Sequence, residues 1–168
     1  MPKKGKNITK ATIKEGNIPV VAGGLEPAYY HNVANTVAPV ITISASGANA
    51  GYVKLYYDDI WASDCSYIDN QMTPYVYYFY LYLKYNQIKI TNLQKGAAQP
   101  HVYPQDLATL KMKDISEKVI KQFNLIVTPF FEEIKNITSK NKVLKYTRDL
   151  LLPRLMSGEI DVEDLEIS

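Results

Sequence analysis

Residues Asp114 to Leu152, DISEKVIKQFNLIVTPFFEEIKNITSKNKVLKYTRDLLL, decide the architecture. Asp114 followed three positions later by Glu117 is a capping-box start, and no glycine interrupts the chain until Gly158. Apolar side chains then recur in alternating steps of three and four: Ile120, Phe123, Val127, Phe130, Ile134, Ile137, continued by Asn141, Leu144, Arg148 and Leu151. This is a heptad seam. Its two polar members, Asn141 and Arg148, share one column, where a polar side chain lowers stability while fixing register and partner number. The spacing therefore predicts a helix that pairs, most simply with a second copy of the chain in an antiparallel, two-fold dimer. At about 1.5 Å per residue it would extend about 55 Å, enough to act as a spacer. Pro129 removes a helical hydrogen bond, which predicts a kink or break near Thr128. Two shorter helices folded against their own domain are the plainer reading of the same residues.

The 168 residues hold 19 Lys+Arg and 17 Asp+Glu, a formal net charge of +2. Up to Asp114 eleven lysines face eight acids, whereas the remainder carries eight bases and nine acids. The globular part is thus the basic one, which gives it a mild preference for polyanions. Cys65 is the only cysteine, so no intramolecular disulfide framework exists and a reducing, cytoplasmic location is expected. The basic start, Met1-Pro2-Lys3-Lys4-Gly5-Lys6, has no apolar run after it, and no stretch has the length of a membrane span; a membrane partner is not expected.

Between these limits the chain reads as short strands, then helices. The first sixteen residues are polar and expected on the surface. Ile18 to Val21 reads as a strand ending at Gly23-Gly24, followed by a polar-aromatic loop from Leu25 to Asn32. Val37 to Ser44 is a β-branched strand running into small residues, Ala45 to Gly51, and Tyr52 to Tyr56 returns. Asp58-Asp59 supplies a turn, and Ile60 to Ile68, with Trp61 and Cys65, reads as one further strand of an antiparallel meander. Thr73-Pro74 fits a helix start, giving a helix to Tyr85 whose tyrosines are mainly structural. Lys95 to His101 is another small-residue loop, and Leu107 to Met112 leads into the long helix.

Catalytic constellations do not emerge. His31 and His101 lie in separate loops without a cysteine or acid at metal-ligand spacing. Cys65 sits within a strand, as a small core residue would. Asp58-Asp59 and Glu132-Glu133 read as solvated charge, and the Gly47/Gly51 loop lacks both the lysine of a phosphate loop and the third glycine of a dinucleotide fingerprint. Binding or assembly is the expected role.

One stretch is specific. Arg148-Asp149-Leu150-Leu151-Leu152-Pro153-Arg154-Leu155-Met156-Ser157-Gly158-Glu159-Ile160-Asp161-Val162, placed after the long helix, resembles the C-terminal signature of specificity subunits of type I restriction-modification enzymes. Ile18-Pro19-Val20, Ile41 to Ser44 with Gly47 to Gly51, Trp61 to Asp64, and Gly96 to His101 resemble that family's target recognition domain, in the same order. The resemblance implies an α+β fold: a target recognition domain over 1–113, with antiparallel strands and short helices, then a long coiled-coil-type helix and conserved tail over 114–168. It implies a non-catalytic subunit that reads one half of a bipartite site in double-stranded DNA and recruits methyltransferase and restriction subunits. No cofactor is expected in this chain; S-adenosylmethionine, ATP and magnesium belong to those partner subunits. Members of the family usually hold two recognition domains and two helices, while this chain has one of each; it reads as a natural half-subunit, a truncation or an excised fragment, with a further strand expected before Lys3.

Three loops carry donors and acceptors beside small residues, and they are the candidate DNA contacts: Tyr29, His31 and Asn32; Ser46, Asn49 and Tyr52; Lys95, Gln99 and His101. Asn49 and Gln99 suit adenine edges, and Lys95 suits phosphate or guanine. The candidate dimer contacts are Ile120, Phe123, Val127, Phe130, Ile134, Ile137, Asn141, Leu144 and Leu151. A coiled-coil scaffold without intrinsic DNA specificity is the alternative, and salt-sensitive DNA binding would separate the two. A self-contained methyltransferase or nuclease would need motifs that this chain does not carry.

Overall fold

The computed structural model describes residues 1–96 and 98–160, so Ala97 of the second small-residue loop and Asp161 and Val162 of the C-terminal signature lie outside the described residues. Two sheets precede the helices. In the first, four strands run in the order β1 (Lys3–Lys4), β7 (Cys65–Asp69), β4 (Val40–Ser44), β5 (Val53–Tyr56), all neighbours antiparallel. In the second, β3 (Tyr29–His31) and β6 (Trp61–Ala62) flank β2 (Ile18–Val21), with β3 antiparallel and β6 parallel to it. Helices α1 (Val76–Tyr85), α2 (Gln87–Thr91) and α3 (Pro104–Leu107) follow, then α4 (Glu117–Met156), forty residues long.

Strand β4 explains the layering. All five of its residues are buried because both faces are covered. Ile41 and Ile43 point into a core shared with Val53, Ile68, Val76, Leu83, Ile90, Val102 and Leu107, beneath the helices. Val40, on the opposite face, joins Val21, Ile60, Ala62 and Cys65 beneath the second sheet. The chain is α+β, as the sequence predicts.

The strands correct the expected meander in three places. Ile60 to Ile68 is two strands: Trp61 and Ala62 pair with Val20 and Val21 in the second sheet, and only after Ser63-Asp64 does the chain enter the first sheet. The loop expected from Leu25 to Asn32 contains β3, its Tyr29 opposite Val20 and its His31 opposite Ile18. The first sixteen residues lie at the surface as expected, none of them buried, yet Lys3 and Lys4 add a strand by pairing with Tyr67 and Ser66. In addition, β4 begins at Val40, after a cis Ala38–Pro39 bond.

Side chains close the sheet edges. Asn35 donates to the Ala62 carbonyl (3.0 Å) and accepts from its N–H (2.7 Å), standing in for a strand beside β6. On β5, the Val53 N–H donates to Gln87 Oε1 (2.9 Å) and Lys84 Nζ donates to the Val53 carbonyl (3.1 Å). Both outward backbone groups of Val53 are thereby used and do not invite another strand.

Helix α4 starts at Glu117, three residues beyond the expected cap; the Ser116 carbonyl accepts from the N–H groups of Val119 (3.0 Å) and Ile120 (3.2 Å). Glu117 does not fold back on Asp114 but accepts the Tyr75 hydroxyl (3.0 Å). Pro129 and Pro153 lie inside the helix without ending it. The chain divides into two compact units, Met1–Val127 and Thr128–Ser168, so the boundary falls just before Pro129.

Candidate nucleic-acid interface

Two of the three candidate loops meet at His101. Its backbone bridges Ser46 on one side and Lys95 on the other. Lys95 and His101 exchange N–H to carbonyl bonds of 2.9 and 2.8 Å, Gly47 N–H donates to the Pro100 carbonyl (3.0 Å), and Val102 N–H to the Ala45 carbonyl (3.0 Å). The loop after β4 and the loop before α3 are therefore one surface, knitted by backbone groups that any side chain could carry. A third segment joins them: Ser44 Oγ donates to the Gly23 carbonyl (3.0 Å), and a Cβ on Gly23 would come within 2.8 Å of the Ser46 carbonyl.

The Ser46–Tyr52 loop is a compact turn. Ala50 N–H donates to the Gly47 carbonyl (3.0 Å), Tyr52 N–H to the Asn49 carbonyl (2.9 Å), and Gly51 N–H to the Ser44 carbonyl (2.8 Å). Gly47 and Gly51 sit at φ 77° and 82°, where a side chain is strained. From the helix side, Gln94 Nε2 donates to the Ala50 carbonyl and Gln87 Nε2 to the Gly51 carbonyl, both at 2.8 Å. Asn49 is half-buried and Tyr52 exposed, with Lys84 Nζ 4.5 Å from the Tyr52 ring centroid.

Acids that the sequence did not single out hold this edge. Asp64 accepts the Ser46 hydroxyl. Asp106 accepts the Lys95 ammonium on one carboxylate oxygen and the Tyr103 N–H (3.0 Å) on the other. The Lys95 hydrogen bond, followed by that from Tyr103, holds the Asp106 carboxyl below the usual aspartate value. Tyr103, another residue not singled out, is exposed and stacks parallel to the His101 ring, 5.8 Å between centroids. The signal for Tyr103 and Asp106 was Pro104, which marks a helix start with Asp106 three residues after Tyr103; the pairing of Asp106 with Lys95, eleven residues back, had no local signal.

The remaining candidates lie elsewhere. Tyr29 and Asn32 are exposed, at the outer edge of the second sheet. His31 corrects the loop reading, because the alternation of β3 turns its ring inward. Only 5% exposed, it accepts the Lys14 N–H on Nδ1 (3.0 Å) and packs edge-on against Trp61. It has no ring surface to offer a ligand. Gln99 is exposed and His101 half-buried. Of the seam, Ile120 and Val127 are half-buried, and the Phe123 ring packs edge-on against Tyr78 (5.9 Å), which makes it in part an internal contact. Phe130, Ile134, Ile137, Asn141, Leu144 and Leu151 are exposed.

Among the described residues no group of three His, Cys, Asp or Glu could hold a metal ion, and no helix is long and apolar enough to cross a membrane. No family model matches the chain. Over 99 residues, 58% of its length, it is 33% identical to the type I restriction enzyme MjaIX specificity subunit of Methanocaldococcus jannaschii. The chain is specificity-subunit-like. It covers 23% of that relative. A crystal structure of a type I restriction-modification system S subunit from M. genitalium superposes with a TM-score of 0.67 at 22% identity, over 94% of this chain and 43% of the other. The specificity-subunit-like chain therefore shares that protein's fold, including strands followed by a long helix, while spanning less than half its length.

Proposed function

We propose that this chain is a sequence-specific DNA-recognition subunit of a type I restriction-modification system, non-catalytic in itself. It reads one half of a bipartite site in double-stranded DNA and recruits methyltransferase and restriction subunits. The observation that carries the reading is the fusion of the Ser46–Tyr52 and Lys95–His101 loops into one edge, on a chain whose sequence follows a specificity subunit. Glycines and alanines there let the backbone approach a groove closely, and Asn49, Gln99 and Lys95 supply directional donors and acceptors. Any S-adenosylmethionine, ATP and magnesium act on the partner subunits, and the complex works in the cytoplasm. Two copies pair through the exposed column Phe130, Ile134, Ile137, Leu144 and Leu151, which would bring two recognition domains into one assembly.

Selection of the full chain on randomised duplexes, followed by fluorescence anisotropy on the recovered and scrambled sequences, tests this. A recovered motif bound with strong salt dependence is the expected result. Recovery of no motif would overturn it and return the chain to the scaffold reading.

A further inference from the structure

We propose that Lys95 reads the major-groove edge of a guanine and that Asp106 is the positioning residue that aims it. The proposal rests on the DNA-recognition reading above and assigns one contact within it. Lys95 is held at both ends. Its backbone exchanges hydrogen bonds with His101, and its ammonium sits on the Asp106 carboxylate. Asp106 is itself fixed: its second oxygen accepts the Tyr103 N–H, and its carbonyl accepts the Thr109 hydroxyl (2.6 Å). The lysine side chain is 67% accessible and the aspartate side chain 10%, so the acceptor is anchored inside and the donor is presented outside.

An ammonium has three N–H donors and one faces Asp106, leaving two for a ligand. Guanine presents O6 and N7 side by side as acceptors in the major groove, which is the match such a lysine makes. Phosphate is the poorer match. The pair with Asp106 is neutral overall, its carboxylate would lie beside the phosphate oxygens, and a neutralised ammonium releases few counterions. Gly96, at φ 95°, makes the tight turn that leaves Lys95 at the root of its loop, beside the bridge to Ser46.

The test takes the motif recovered from randomised duplexes and measures the parent, Lys95→Met and Asp106→Asn on it across a range of salt. Each guanine of the motif is replaced in turn by 7-deazaguanine, which lacks the N7 acceptor. Both variants should lose on the order of tenfold in discrimination at the same guanine. 7-Deazaguanine at that position should weaken the parent and leave both variants indifferent. Lys95→Met should keep the salt slope, whereas Asp106→Asn should steepen it and tighten scrambled binding, because its ammonium is no longer neutralised. Lys95 is exposed, so Lys95→Met carries the test should Asp106→Asn fold poorly. Uniform weakening by Lys95→Met with a salt slope reduced by about one would make Lys95 a phosphate contact and overturn the proposal. Equal losses at every base with Asp106→Asn would make the aspartate merely structural, and a motif without guanine would likewise overturn the assignment. A parent that selects a motif, with variants that read it unchanged, sinks this inference alone; a parent that selects none sinks the DNA-recognition reading with it.

Discussion

Asp64 and Asp106 accept the hydroxyl and the ammonium that tie the loop edge together, and the pair of Asp106 with Lys95 gives the edge a response to pH. The Asp106 carboxyl lies below its ordinary value of 3.8, through Lys95 first and the Tyr103 N–H second. A lowered folded value means that the stabilisation is present above the unfolded value and lost as pH falls through the folded one. Urea unfolding of the parent and Asp106→Asn should therefore show a stability gap that stays constant from neutral pH to about 5 and shrinks only in stronger acid. A gap that did not change with acid would mean that the pair is not formed in solution. Cys65 moves the other way: burial pushes its thiol from 9.0 up to about 12. Its contribution is fully present below the ordinary thiol value and lost as pH climbs toward the folded one. At neutral pH the buried thiol should resist Ellman's reagent in the native chain and react at once in denaturant. Rapid labelling without denaturant would show that β7 opens.

Among the elements, β5 and α2 share the core through Val53 and Ile90 and are also tied by the Gln87 side chain. Gln87 accepts the Val53 N–H, donates to the Gly51 carbonyl and reaches the Thr91 hydroxyl (3.3 Å). Gln87→Ala should lower unfolding stability by about 1–3 kcal/mol, since it leaves backbone groups at the sheet edge without their partner. A change within measurement error would show that water replaces the amide. On α4, Asn141→Leu should raise the melting temperature while broadening the range of oligomers seen by sedimentation, as loss of a polar seam residue does. Lower stability with unchanged mass would contradict the seam. These elements differ in how plainly the sequence announced them. Strands β4 and β5 were legible from β-branched runs joined by Gly47 and Gly51, and α4 from its three-and-four spacing. The split at Ser63-Asp64 was not, because the parallel partner of Trp61-Ala62 is Val20-Val21, far back in the chain, and local pattern carries no trace of it. For the same reason β3 read as a loop, and His31 as a surface ligand rather than the buried neighbour of Trp61. The two principal loops were found from their glycines and amides; that His101 joins them is a tertiary fact.

For the whole molecule, the proposed assembly makes a plain demand on mass. Light scattering at tens of micromolar should give a two-chain particle, and Ile134→Lys should return it to one chain by placing a charge in the apolar column. A parent that is already monomeric would remove the pairing model and leave the recognition edge to act alone. That edge has a property of its own. Ser46, His101 and Lys95 are joined through main-chain atoms, and the glycines at 47, 51 and 96 fix the turns; position 49 contributes its carbonyl, to the Tyr52 N–H, and among the described residues none of the side chains at positions 48, 49, 98 and 99 ties the loops together. The architecture is accordingly open to recoding: a library randomised at those four positions, with the glycines and Asp106 kept, should yield many folded variants that prefer different base sequences.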